Sequence, residues 1–303
     1  MDTEPSVMSQ VLKNVMGWPQ FPLEFPALSV DGERGVYRRL MDLSRQTDLG
    51  DIAVFWEDYH YMRLPRDLVR FVLPIALEAW ARNLLNIKGL FTGNWHFEGM
   101  WWALADKPMH PDILDTDEAA AMEDFLSDVL LERMEHENWL LFDRSGASPY
   151  EWVELLATML WHFPIAERFW DRWSRFAEPG HAVSYVQWIS TLIYDDTANP
   201  FFKPWTPMEG GGPPAIFDRA DLKNCAAAAE NINVLQSALS FKRVEETLGR
   251  AAEMLGRHEQ SEHVYEAWLD LSRRRAFFEA RSKAFLAMME DSKLDPSNGW
   301  EGN

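Results

Sequence analysis

The stretch Pro149–Phe176, PYEWVELLATMLWHFPIAERFWDRWSRF, constrains this fold more than any other part of the chain. Its large apolar residues fall at Trp152, Leu156, Met159 and Phe163, then at Phe169, Trp170, Trp173 and Phe176. Steps of three and four collect them on one broad helical face. Pro164 must interrupt or restart that helix, because a proline lacks the ladder N–H and crowds the preceding turn. A face with three tryptophans and three phenylalanines cannot stay wet, so the rest of the chain is expected to pack around it.

Composition supports a core of that kind. The 303 residues include fifteen Trp and eighteen Phe, enough buriable area to need no metal or disulfide staple, and room for one large domain or two ordinary ones. Cys225 is the single cysteine, which excludes an intrachain disulfide and a cysteine-based zinc cage and fits a reducing compartment. The N-terminus shows no basic flank followed by an apolar run, so no signal peptide is expected. The longest apolar window, Leu90–Ala105, is interrupted by His96, Glu98 and two glycines and cannot be a membrane span. These features predict a soluble, cytoplasmic protein. The net charge of −19 disfavours nucleic acid and anionic membranes and favours a basic protein partner, while also serving solubility.

Read in order, residues 1–30 carry Pro19, Pro22 and Pro26 and look like an extended arm. Arg34–Arg45 suits a short helix, and Phe55, Trp56, Tyr59, His60 and Tyr61 suit a core edge. Leu64–Leu85 predicts a helix pair or a kinked helix at Pro74. The texts around Pro74 and Pro164 share Pro, Ile, Ala, Trp and Arg, a faint internal repeat. Gly89–Asp106 suits a loop entering a short buried helix at Met100–Leu104. Asp117–His136 is the clearest helix, with Thr116 as the expected N-cap and a stripe of Met122, Phe125, Leu126, Val129, Leu130 and Met134. Glu178-Pro179-Gly180 is expected to stop the central helix. His181–Tyr194 fits a buried helix or a strand, and its neighbours favour the helix.

Asn199–Pro214 holds five prolines and three successive glycines, which excludes regular structure and marks the expected boundary between a body (1–198) and a C-terminal helical region (215–303). Beyond it Asp218 is the expected cap of an Ala-rich helix. In residues 242–275, Leu248-Gly249, Gly256, Ser261 and Tyr265 occupy positions that resemble one tetratricopeptide repeat. Glu245, Ala252 and Trp268 depart from that pattern, and no proline follows Leu271. The resemblance covers about a tenth of the chain and implies a helical hairpin with a leaning toward protein or peptide binding. The expected class is therefore all-α: a multi-helix body, helical-repeat or solenoid-like, with a C-terminal hairpin.

The sequence offers few chemical constellations. Asp195, Asp196 and Asn199 resemble a degenerate form of the Asp-rich magnesium motif of all-helical terpene synthases, which implies two carboxylates and an amide as oxygen ligands. A second acidic motif on a facing helix is missing, and the competing reading is an acidic helix end entering a turn. His258, Glu259, Glu262 and His263 lack the two-histidine turn of a zincin and read as a solvated face. His96, His162 and His181 read as structural histidines. There is no Gly-x-Ser-x-Gly elbow, Gly210–Gly212 lacks the Lys-Ser/Thr of a phosphate loop, and Cys225 reads as a small buried hydrophobe. Arg273, Arg274 and Arg275 should pair with Glu266, Asp270 and Glu279.

Charge points to one surface. Residues 106–137 contain eleven Asp and Glu against Lys107 and Arg133, a net of −9. Asp117, Glu123, Asp124, Asp128, Glu132 and Glu135 are the candidate partner-binding residues, on a face that would steer a basic partner or simply be solvated. The leading expectation is a non-enzymatic interaction module without a cofactor, such as an immunity or antitoxin-type inhibitor that masks a basic protein. The alternatives are a divalent-metal enzyme using Asp195, Asp196 and Asn199, and a scaffold subunit docking through exposed Phe201, Phe202 and Trp205.

Overall fold

A computed structural model describes residues 39–40, 48–62, 64, 66–85, 97, 99–101, 104, 114–141, 150–195, 199–202 and 228–291. Among these there are ten α-helices, one 3₁₀ turn and no strand, so the class is all-α as expected. The helices are α1 (Leu49–Met62), α2 (Arg66–Leu85), α3 (Thr116–Glu135), α4 (Tyr150–His162), α5 (Ala166–Ser174), α6 (Pro179–Ile193), α7 (Ala229–Ala238), α8 (Phe241–Met254), α9 (Ser261–Arg273) and α10 (Arg275–Asp291), with the 3₁₀ turn at Pro200–Phe202. The chain divides into two compact units, one formed by 1–86 and 91–126 and the other by 87–90 and 127–303. The 199–214 segment therefore falls inside the second unit. The expectation of no regular structure fails at its start, where Pro200–Phe202 form a 3₁₀ turn. Composition also does not report whether the helices on either side share a core, and here α6 packs on α8, α9 and α10.

In the first unit, α1 starts where the Asp48 carboxylate accepts the Gly50 N–H at 2.8 Å. It buries Ile52, Phe55 and Trp56, and a Cβ on Gly99 would come within 3.1 Å of the Trp56 side chain. Helix α2 runs unbroken through Pro74. Of the two expected alternatives, a helix pair or one kinked helix, a single helix forms; Phe71, Val72, Leu73, Ala76 and Leu77 are all buried around the proline, and that packing offsets the lost ladder bond. Trp80 meets Trp101 edge to face at 5.2 Å and Phe125 at 6.4 Å.

The second unit is built around α6. Every residue from Gly180 to Ile193 is buried, the signature of a helix at the centre of a core and not on its surface. Helices α5, α8, α9 and α10 pack on it. Aromatic residues of the Pro149–Phe176 stretch line it: Trp170 and Trp188 lie 5.3 Å apart, Trp173 and Tyr185 5.3 Å, and Phe176 and Tyr185 5.5 Å. The Trp173 indole donates to Ser184 Oγ at 3.0 Å, which satisfies its one polar group inside the core.

Two helix boundaries differ from expectation. The helix before Glu178-Pro179-Gly180 already ends at Ser174, closed by Phe176 in the left-handed region (φ 53°). Pro179 is then the first residue of α6, where a missing N–H costs nothing. Gly180 is required for space: a Cβ there would lie 2.0 Å from the Glu135 carbonyl oxygen and 2.6 Å from that of Met134.

Candidate protein-interaction surface

Helix α3 carries the acidic face, and its first turn shows how the fold selects among the acids. Asp115, not Thr116, is the cap. Its carboxylate accepts the Glu118 N–H at 2.8 Å, and Glu118 Oε2 accepts the Asp115 N–H at 2.9 Å, a reciprocal capping box whose cap lies one residue before the expected Thr116. Thr116 is the first helical residue. Glu118 is buried and also accepts two bonds from the Arg70 guanidinium, one of 2.7 Å. Glu118 thus serves the interior.

The remaining acids follow the helix period. Met122, Phe125, Leu126, Val129, Leu130 and Met134 are buried as the stripe predicts. Asp117, Asp124 and Glu135 are exposed, while Glu123, Asp128 and Glu132 are half-buried. Asp128 accepts from Arg172 of α5 at 2.6 Å and is engaged within the chain. Arg133, the only basic residue of α3, is turned inward and pairs with Glu137, whose carboxyl is pushed above its usual range by burial. The one basic residue of α3 is therefore turned inside, and Arg172 of α5 is the cation that reaches the edge at Asp128.

No family model, curated protein or solved structure matches this chain. What it can do has to be read from its own side chains.

The magnesium candidates do not form a ready ligand set among the described residues. Asn199 is buried; its amide donates to Ser190 Oγ at 2.8 Å and its Oδ1 accepts the Phe201 N–H at 3.0 Å. Asp195 is exposed, and Asp196 lies outside the described residues. Among the described residues no group of three or more His, Cys, Asp or Glu side chains is placed to hold a metal ion. The Asn199 turn also corrects the scaffold expectation at Phe201, which it directs into the core beside Tyr194, with ring centroids 6.3 Å apart. The Phe202 side chain and Trp205, like Cys225, His96, Asp218 and Gly210–Gly212, fall outside what is described.

His181 and His258 hold structure. His181 Nε2 sits 3.1 Å from the Leu131 carbonyl and His258 Nε2 2.8 Å from that of Asn138. His258 Nδ1 accepts the Gln260 N–H, which makes Nε2 the donor to Asn138. His263 is 3.3 Å from Glu266. In the arginine run, Arg273 bonds Asp270 at 3.1 Å and Arg275 bonds Glu279 at 2.8 Å, as the spacing predicts. Arg274 lies instead over the Tyr194 ring, 5.0 Å from its centroid.

Residues 242–275 form two contacting helices, α8 and α9, joined by a turn containing Gly256. A Cβ on Gly249 would touch the Trp268 ring at 3.5 Å. Tyr265 matches the repeat pattern and Trp268 departs from it. The structure leaves both with exposed surface, next to an exposed Leu269. Their i, i+3, i+4 spacing was the available signal, but periodicity does not distinguish a stripe facing in from one facing out.

Proposed function

We propose that this protein is a non-enzymatic interaction module that recognises a basic protein partner through the acidic edge of α3. The observation that supports this reading is the division of labour along that helix. Glu118 and Arg133 are absorbed by the interior, and Asp117, Asp124 and Glu135 are left exposed. An edge with surplus carboxylates raises the association rate of a basic protein and makes binding fall with salt. Masking of a basic effector, as an immunity or antitoxin-type inhibitor does, is the role this edge suits.

The test uses a variant carrying Asp124→Lys, Glu132→Lys and Glu135→Lys, which leaves the Asp128–Arg172 bridge intact. Wild type and variant are used to capture proteins from native lysate at low and high salt. The expected result is a basic protein retained by the wild type at low salt, released by high salt and not captured by the variant. Equal capture by a variant with unchanged helical content would remove the acidic edge from the proposal.

A further inference from the structure

Helix α9 is apolar on two sides. Val264, Ala267 and Leu271 are buried and hold it to the core. Tyr265, Trp268 and Leu269 lie on another side, and they remain 43%, 37% and 55% exposed. A large aromatic residue on a solvated helix face has no role in the core, and three apolar residues within one turn make a contiguous patch. Truncation-sensitive binding residues are drawn from this class of side chain.

The neighbouring helix shapes the patch. Gly249 of α8 places no side chain beneath Trp268, so the indole lies against α8 with 3.5 Å between its Cζ2 and the position of a glycine Cβ. The Tyr265 hydroxyl points at the Ala252 carbonyl of the same helix, 3.5 Å away. Both rings are thereby held across the hairpin, which lowers the conformational cost of binding.

The rim is acidic. Glu245, Glu246 and Glu253 stand four, three and four residues from Gly249 on α8, hence on its side of the helix. On α9, Glu262 and Glu266 each lie three residues before an exposed apolar residue and are themselves exposed. Lys242 is 3.9 Å from Glu246 and Arg273 is on Asp270, and the His263 ring sits between Glu262 and Glu266.

We infer that Tyr265, Trp268 and Leu269 form a docking ridge for an amphipathic helix of a partner protein, one whose apolar face is flanked by Lys or Arg. The apolar face covers the indole and Leu269, and the basic flanks reach the glutamates. A second copy of this chain is disfavoured as occupant, because a symmetric contact would set glutamate rim against glutamate rim. The ridge shares no residue with the acidic edge of α3, so either assignment can fail alone.

The probe is a synthetic 18-residue Leu/Lys peptide with Leu at helical i, i+3, i+4 spacing, compared with a scrambled peptide of the same composition. Binding is followed by fluorescence anisotropy of the labelled peptide. Three proteins are compared: wild type, Trp268→Ala/Leu269→Asp, and the α3 triple-lysine variant. The wild type should bind the amphipathic peptide at least about tenfold more tightly than the scrambled one. The ridge variant should lose that preference, and the α3 variant should keep it. Because Trp268 and Leu269 are exposed, the ridge variant should retain its helical content, which circular dichroism checks. Equal affinity of wild type and ridge variant, or equal affinity for both peptides, would overturn the inference. Dissociation by the ridge substitution of a wild-type dimer seen in sedimentation would overturn it in favour of a second copy.

Discussion

Asn231 closes the break that Pro164 opens. Its Oδ1 accepts the Ala166 N–H at 3.0 Å, and its Nδ2 donates to the Leu160 and Phe163 carbonyls at 2.6 Å each. A proline break leaves the last carbonyls of α4 and the first N–H groups of α5 without helical partners. A single buried amide, 65 residues beyond Ala166, satisfies two of them, the Leu160 carbonyl and the Ala166 N–H, and adds a second bond to the Phe163 carbonyl, which also accepts the Ile165 N–H. The Ala228 N–H adds a fourth bond, to the Trp161 carbonyl at 2.7 Å.

Asn231→Ala would strand two buried backbone groups, the Ala166 N–H and the Leu160 carbonyl, each worth about 1–3 kcal/mol when unsatisfied, while the Phe163 carbonyl keeps the Ile165 N–H at 2.8 Å. Chemical denaturation should therefore show a loss of about 3–5 kcal/mol. Asn231→Asp tests the polarity of the clamp. A carboxylate still accepts from Ala166 but cannot donate to either carbonyl, so this nearly isosteric change should also destabilise strongly at neutral pH and less in acid.

Gly180→Ala distinguishes spatial need from helix propensity. Propensity alone predicts a gain of about 1 kcal/mol for replacing a helical glycine. The Cβ would instead fall 2.0 Å from a backbone carbonyl oxygen of Glu135, which no rotamer can relieve. The expected result is a loss of about 3 kcal/mol or more, measured by thermal or urea unfolding. Any gain in stability would show that the close approach of α6 to the end of α3 does not hold.

The Arg133–Glu137 pair is expected to be asymmetric under mutation. Glu137→Ala leaves a buried guanidinium uncompensated and should cost about 3–5 kcal/mol. Arg133→Met combined with Glu137→Leu removes both charges and should lie within about 1 kcal/mol of wild type. A double-mutant cycle in urea measures the difference.

Alkaline stability should depend on two buried tyrosines. Burial raises the Tyr185 hydroxyl above its ordinary value, and burial together with its bond to Asp270 raises that of Tyr194. Below pH of about 10 the phenols are protonated in both the folded and unfolded chain, so their contribution is fully present. Above that the unfolded chain releases protons that the folded chain keeps, and stability falls as pH rises toward the folded values. Tyr194→Phe should lose about 1 kcal/mol at pH 7 with the Asp270 bond and show a shallower decline between pH 9 and 11. An unchanged slope in pH-dependent urea unfolding would contradict this assignment.

Residue order was enough to show an all-α chain, the extent of α3, the interruption at Pro164 and the pairing of Arg273 and Arg275, because each follows from contacts three or four residues apart. Contacts between distant segments settled the rest. Two prolines in matching local text behave differently, since Pro74 is sheathed by apolar packing within α2 while Pro164 meets Asn231. Gly180 reads as a helix stop until the end of α3 is seen against it. Asp128 and Arg133 fall in one charged stretch, and partners in space assign them to a bridge and to the interior. Period tells which side chains share a face, but what that face meets is a matter of tertiary packing. That is why the acidic edge of α3 was visible from sequence and the outward ridge of α9 was not.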